Sequence, residues 1–170
     1  MLLPSARGRY DDHKLSRMKF SCSTFMLYLD MNRRCDNLPH YQIFLSEHIR
    51  RRDRPWVDDS VLDTKNPSFY VCNPTIIDPE KAPTGHITLF VLVSILNRSH
   101  HIDWATKRKM YRGLIVIRMS LLEYENVEQH IVAEHCYTAD TWRDEYHVHL
   151  GAVFNLTHGW SQFDPLRPPI

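Results

Sequence analysis

The sequence has few glycines, and their spacing excludes the common phosphate-binding motifs. The five glycines stand at positions 8, 85, 113, 151 and 159. Neither GxGxxG nor a P-loop can be built from these positions, so the chain carries no usual fingerprint for the pyrophosphate of a dinucleotide. The GxSxG motif of a hydrolase nucleophile elbow is missing as well.

The sequence also has few cysteines, almost no net charge and no long apolar run. The four cysteines are scattered without a CxxC pair, which favours reduced thiols over a disulfide framework. A net charge of +1 gives no overall bias toward nucleic acid. No apolar run approaches the roughly 18 residues that a membrane span needs, so we expect any membrane contact to be peripheral.

A chain of 170 residues with 43% hydrophobic residues suits one globular domain. Its centre is Pro67–Leu96, which predicts two strands around a proline-rich connection. Phe69–Cys72 favours β-structure, and Ile87–Val93 is almost continuously apolar. Because a half-exposed strand would alternate, we expect Ile87–Val93 to be a central strand that is covered on both faces.

Three further strands are predicted, over Phe20–Asp30, His40–Ser46 and His130–Tyr137. Phe20–Asp30 is apolar at both even and odd positions, which again predicts cover on both faces. Only a short polar turn separates it from His40–Ser46, so we expect these two strands to pair antiparallel. Together the elements indicate a mixed α/β domain that is rich in sheet.

The clearest helix is predicted over Asp103–Glu125, with Asp103 as its N-cap. We expect one apolar stripe to pack on the sheet, formed by Met110, Leu114, Ile117, Leu121 and Tyr124. The basic side of this helix is either solvated or lies on lipid. A second, shorter helix is predicted over Thr138–Tyr146, capped by its threonine.

Two other patterns have competing interpretations. The charged segment Glu47–Asp63 holds four arginines beside Trp56, and is either a solvated helix or loop or a contact with anionic headgroups. The histidines include an HxH pair, His147 and His149, besides His100-His101 and the pair His130 and His135. A metal site needs three or four converging ligands, so none is predicted.

Several blocks of sequence together resemble the later part of the bacterial-type phytoene desaturases, the flavin-dependent carotene desaturases. The resemblance runs from about Tyr10 to Pro168. Its blocks occur in the family's order, and they are Ser21–Asp30, Leu38–Glu47, Pro67–Val93, Ile102–Trp104 and Gly151–His158, followed by Gln162 and Arg167-Pro168.

The resemblance implies a two-domain, amine-oxidase-like fold, in which a Rossmann-type FAD domain joins a substrate domain built on a mixed sheet with packed helices. Residues 1–148 would be an incomplete substrate-binding domain, and residues 149–170 the start of the return into the FAD domain. The implied activity is desaturation of phytoene or a related carotenoid precursor, with hydride transfer to FAD. The implied partners are a long polyene and a membrane surface, with no nucleic acid, at a cytoplasmic, peripherally membrane-associated location.

The resemblance also places the cofactor contacts, at Gly151, Ala152, Val153 and Phe154. Gly151 would permit close backbone approach to the flavin, and its small or apolar neighbours would line a dry tunnel. The alternative is a packing turn. His158 is either a general base or a structural histidine, and no catalytic residue is predicted.

The sequence also departs from the family pattern. The Gly-rich FAD fingerprint and the closing Gly-rich segment do not occur in it, and Ser94-Ile95, Thr138-Ala139 and Gly159-Trp160 replace the usual residues. Two alternatives to a desaturase therefore stay open. One is a non-catalytic relic or hydrophobic-ligand-binding domain of the same fold, and the other is a related carotenoid or retinoid saturase or oxidase.

Overall fold

The computed structural model describes residues 11–35, 38–46, 64–98 and 102–157, which form one five-stranded sheet with helices. The strand order is β2-β3-β4-β1-β5. The strands are β1 (Ser23–Met31), β2 (Tyr41–Phe44), β3 (Phe69–Cys72), β4 (Ile87–Ile95) and β5 (Ile131–Tyr137). The helices are α1 (Asp12–Ser16), α2 (Trp104–Leu122), α3 (Val127–His130) and α4 (Ala139–Asp144).

The α/β class and the central position of β4 are confirmed. Short 3-10 turns at Pro74–Ile76 and Pro79–Lys81 fill the proline-rich connection before β4. All four described strand pairs are antiparallel, whereas a mixed sheet also contains parallel pairs. Two neighbouring strands can run parallel only if a crossover connection returns the chain to the same end of the sheet. In the described residues, every neighbouring pair of strands runs in opposite directions.

The predicted pairing of the first two strands is wrong. β1 pairs with β4 along nine residues and with β5 on its other edge, while β2 pairs with β3. β1 is apolar on both faces and long, and the four residues of β2 could cover less than half of its edge. The nine-residue β4 satisfies more of the backbone groups of β1, although it lies much further along the chain.

The two faces of the sheet differ in cover. On the inner face, Leu27, Leu29, Leu89 and Val91 are fully inaccessible to solvent. The outer face is only half-buried, as the alternating burial of β4 shows. The prediction that β1 and β4 are covered on both faces therefore holds for the inner face and fails, within the described residues, for the outer one.

α2 covers the inner face, but not with the predicted stripe. Asp103 caps the helix as expected, because its Oδ1 accepts the Ala105 N–H at 3.1 Å. The residues that face the sheet are Trp104, Tyr111, Ile115, Val116 and Met119. Met110, Ile117 and Leu121 are exposed, Leu114 is partly buried, and only Tyr124, beyond the helix end, is buried as predicted. The helix is apolar on two sides, and the side with Trp104 and Tyr111 offers the larger area to bury against Phe25.

α4 is capped as predicted and packs against the start of β1. The Thr138 hydroxyl accepts the Thr141 N–H at 3.4 Å, and a capping box completes the turn. The Trp142 Nε1–H donates to the Thr24 carbonyl at 3.0 Å, which fixes α4 against β1. Among the described residues, no helix combines the length and the apolar content that crossing a bilayer requires.

Candidate functional site

The outer face of the sheet carries a line of aromatic side chains across all five strands. We call this line the aromatic row, and its members are Tyr41, Tyr70, Phe90, Tyr28, Tyr137, Trp142 and Tyr146. It contains one ring from each strand and ends on α4 and the residues after it. With strands about 4.8 Å apart, the strand-borne part of the row is roughly 19 Å long.

Ring contacts join the members of the row in two groups, which are Tyr41 with Tyr70 and the series from Phe90 to Tyr146. The Tyr41 and Tyr70 ring centroids are 5.7 Å apart, and Phe90 and Tyr28 meet edge-on at 5.0 Å. Tyr137 continues the row at 5.4 Å from Tyr28 and stacks on Trp142 at 5.1 Å. Between the two groups, Tyr70 is opposite Leu92 and Phe90 is opposite Cys72, whereas Tyr28 and Phe90 are directly paired across their strands. Cross-strand aromatic pairs of this kind stabilise a sheet and also present flat apolar surface.

The row is electrically neutral. Burial raises the pKa of Tyr70 to about 12 and also raises the pKa of Tyr28, so both phenols keep their protons at neutral pH. Tyr41 and Tyr146, at opposite ends, are exposed, while the rings between them are half-buried. A line of uncharged rings of this length is a candidate binding surface, and its shape suits a long, thin ligand with little polarity.

The turn that holds the predicted cofactor contacts is fixed by backbone hydrogen bonds to the segment before β1. The Ser21 N–H donates to the Asn155 carbonyl at 2.7 Å, and the Thr157 N–H donates to the Lys19 carbonyl at 3.0 Å. A β-bridge between Phe20 and Leu156 lies between these two bonds. The turn is therefore held in one position beside α4.

Gly151 and Ala152 serve packing within this turn. Gly151 has a φ of +62°, and a Cβ built on it would lie 2.1 Å from the Ala139 carbonyl oxygen. Glycine is thus required here by close approach to α4, as the packing-turn alternative expects. Ala152 is buried, whereas Val153 and Phe154 are 39% and 46% exposed. Contact of these four residues with a flavin stays a prediction, and two of them have side chains available for it.

The described residues suit one part of FAD better than another. Val153 and Phe154 offer apolar surface on a fixed turn, which suits a flat ring system. A pyrophosphate needs a cluster of backbone N–H groups that close glycine-rich turns supply. In this turn the N–H groups of Gly151, Ala152 and Phe154 are already bonded to carbonyls, so the part of the turn that is described offers no such cradle.

The histidine pairs do not converge. His147 lies in a loop and His149 in a 3-10 segment, and the His149 ring packs at 4.6 Å from Phe20. Within the described residues there is no group of three potential metal ligands. Glu47–Asp63, His100-His101 and His158 lie outside the described residues.

Sequence reasoning missed the aromatic row. Its members are far apart in the chain and each has an ordinary place in a strand pattern. A signal was present, because Tyr28, Tyr70, Phe90 and Tyr137 all occupy strand positions beside buried neighbours. These four rings can be recognised as one candidate site only when the strand order is known, because the strand order places them on neighbouring strands.

Similar proteins carry the same segment. The chain is 44% identical over 163 residues, 96% of its length, to an all-trans-zeta-carotene desaturase of Myxococcus xanthus. It is 33% identical over 99% of its length to a 4,4'-diapophytoene desaturase (4,4'-diapolycopene-forming) of Methylomonas sp. A zeta-carotene-forming phytoene desaturase of Myxococcus xanthus is 30% identical over 89% of the chain.

Over nearly its whole length the chain is homologous to a segment of carotene desaturases. It spans about a third of the length of these curated relatives, between 29% and 33%. No protein-family model matches it. The matched carotene desaturase segment includes both the aromatic row and the Gly151–Phe154 turn, since the first two matches cover 96% and 99% of the chain.

Proposed function

We propose that this chain is the substrate-side segment of a FAD-dependent carotene desaturase, and that a phytoene-like polyene lies along the aromatic row. The observation that carries the proposal is the row itself, a neutral apolar line across five strands. A linear hydrocarbon has no polar groups to bond, so it needs extended apolar contact of this kind. The aromatic rings would fix its orientation and exclude water from it.

The chemistry of such a reaction is supplied by the cofactor. FAD, when bound, would supply the hydride acceptor, while the neighbouring substrate carbon would lose a proton as the double bond forms. Val153 and Phe154 are the residues of this chain that would contact its ring system. The role of the remaining residues is to hold the polyene in register, which is the proximity contribution to catalysis.

The proposal includes a cytoplasmic location with peripheral attachment to a membrane, because a long hydrocarbon substrate is dissolved in the bilayer. It includes no nucleic-acid partner, in keeping with the net charge of +1.

Polyene binding to the row is tested by tryptophan fluorescence. Trp142 lies in the row, whereas Trp104 is buried on the opposite face of the sheet. We expect zeta-carotene, added in mixed micelles, to quench the emission of the wild-type chain. With Trp56 and Trp160 both replaced by phenylalanine to leave two emitters, Trp142→Phe should remove most of the quenching and Trp104→Phe should leave it. Equal quenching in both variants would show that the polyene does not lie on the row.

Flavin binding is tested separately, by gel filtration after incubation with FAD. Retention of flavin absorbance with the protein peak, and its loss in a Val153→Ser/Phe154→Ser variant, would support the cofactor contacts. Ile77→Ser, an exposed apolar residue in another loop, is the matched control.

A second candidate function is a hydrophobic-ligand-binding domain without a flavin. The bonded N–H groups of the turn, which leave no described cradle for a pyrophosphate, favour it. Polyene quenching without any retained flavin would select this alternative for the isolated chain.

A further inference from the structure

α2 carries apolar side chains on two opposite sides, and only one side faces the sheet. We call the other side the outer stripe, which consists of Met110, Leu114, Ile117 and Leu121. Their spacing of three and four residues places them in one line. Met110 is 48%, Ile117 60% and Leu121 78% exposed, and Leu114 is partly buried. At 1.5 Å per residue, the line is roughly 17 Å long.

The charges of α2 are all of one sign. The helix contains Lys107, Arg108, Lys109, Arg112 and Arg118, and no aspartate or glutamate. Two of these cations have partners on the protein. Arg112 donates to Glu128 and Glu134, and Arg118 lies over the Phe69 ring, 5.7 Å from its centroid.

The other three cations, Lys107–Lys109, stand near the start of the helix. The helix dipole disfavours cations at this end, so helix stability does not account for them. An anionic partner would account for them. At about 100° per residue, Lys107 and Lys109 fall on opposite flanks of the outer stripe.

The apolar stripe with lysines on its flanks indicates whether the partner is a protein or a lipid surface. Protein interfaces are depleted in lysine, and a cation buried there needs a matched acid. A lipid headgroup layer instead accepts an apolar line among its upper acyl groups while flanking lysines reach the phosphates. An exposed apolar line between two lysines is therefore better matched to lipid than to protein.

We propose that the outer stripe and the flanking Lys107 and Lys109 rest on the anionic surface of a lipid bilayer. The proposal deepens the proposed function, since it rests on a substrate that is dissolved in lipid, and it names the surface that contacts the membrane. It places the bilayer on the α2 side of the sheet, with the aromatic row on the side that faces away.

The test is co-sedimentation of the 170-residue chain with vesicles of phosphatidylcholine alone or mixed with phosphatidylglycerol. We expect the wild-type chain to bind the anionic vesicles more tightly, and to release them as salt is raised. Ile117→Glu should weaken binding by about tenfold or more. Ile77→Glu is the matched control, because Ile77 is 70% exposed and lies far along the chain from α2, and it should bind like the wild type.

The charge contribution is measured with Lys107→Gln/Lys109→Gln, which should weaken binding to anionic vesicles by about fivefold for each cation removed. Binding by Ile117→Glu that equals the wild type would overturn the proposal. So would a result in which Ile117→Glu abolishes self-association in light scattering and leaves vesicle binding unchanged, since the stripe would then contact a second copy. Vesicle binding requires neither FAD nor a polyene, so its failure is distinct from failure of the proposed function.

Discussion

The inner face of the sheet is closed beneath α2, whereas the outer face is half open and carries the aromatic row. Both faces are built by the same strands, in alternate positions. The inner positions of β1 and β4, among them Phe25, Leu27 and Leu89, are buried beneath α2, and the outer positions include Tyr28, Phe90 and Leu92. The contrast indicates that one face maintains the fold, while the other is kept available for a ligand.

The largest expected effect comes from the closed face. Leu89→Ala removes a side chain with no solvent exposure and leaves a cavity beneath α2, so it should lower the free energy of unfolding by about 3 kcal/mol. Leu92→Ala, three positions along on the open face of the same strand, should cost about 1 kcal/mol because solvent can fill the space. Urea unfolding of the two variants measures the difference. Equal losses would show that the faces are equally packed.

A second effect concerns the turn beside α4. Gly151→Ala should lower the free energy of unfolding by at least about 2 kcal/mol, because the new Cβ meets the Ala139 backbone and φ is positive. Gly113→Ala, in the middle of α2 with nothing within 4 Å, should raise it by up to about 1 kcal/mol. Thermal unfolding followed by circular dichroism compares them. A neutral Gly151→Ala would mean that the turn can move away from α4.

The closed face should also show a response to alkaline pH. Burial raises the pKa of Tyr124, whose hydroxyl donates to the Gln42 side-chain oxygen at 2.5 Å. The folded state therefore holds this proton more tightly than the unfolded state. The resulting stability is present below pH 10, the ordinary tyrosine pKa, and is lost as pH rises above it.

The substitution Tyr124→Phe tests how much the Tyr124 hydroxyl contributes to stability. It should cost about 1 kcal/mol at neutral pH through the lost hydrogen bond and should flatten the decline in stability above pH 10. Denaturant midpoints between pH 7 and 11 provide the measurement. An unchanged alkaline slope would assign the decline to other buried groups, of which the Cys136 thiol and Tyr70 are the first to examine, since burial raises the pKa of each to about 12.

A substitution at the centre of the aromatic row should have the smallest effect on stability. Its effect on polyene binding should be larger. Tyr28→Leu keeps apolar bulk on the half-open face, so the free energy of unfolding should change by less than about 1 kcal/mol. The flat ring between Phe90 and Tyr137 would be lost, and quenching by zeta-carotene should weaken. Strong destabilisation together with intact quenching would reverse the roles assigned to the two faces.

Prediction from sequence succeeded where the signal is local. The apolar run Ile87–Val93 predicted a central strand, and Asp103 and Thr138 predicted helix starts, because caps depend on residues within one turn. It failed for the pairing of β1 and for the buried side of α2. Both depend on which of two apolar surfaces finds the larger partner, and that partner is distant in the chain.

The candidate site was predictable only in part. The sequence pointed to Gly151–Phe154 through family resemblance, and the structure explains Gly151 by its contact with Ala139. The aromatic row was beyond prediction, since no spacing rule connects Tyr41, Tyr70, Tyr28 and Tyr137. Only the strand order brings these rings into one line.

The pairing of β1 with β4 also determines when β1 can join the sheet while the chain is being synthesised. Ser23 pairs with Ile95, about 70 residues later, so β1 has no neighbour until β4 has been made. At roughly 5–20 residues per second, β1 must wait on the order of 4–14 s with its apolar residues unpaired. Long-range pairing of this kind slows folding. The nascent segment through β3 is thus the stage at which we expect chaperones to engage this protein.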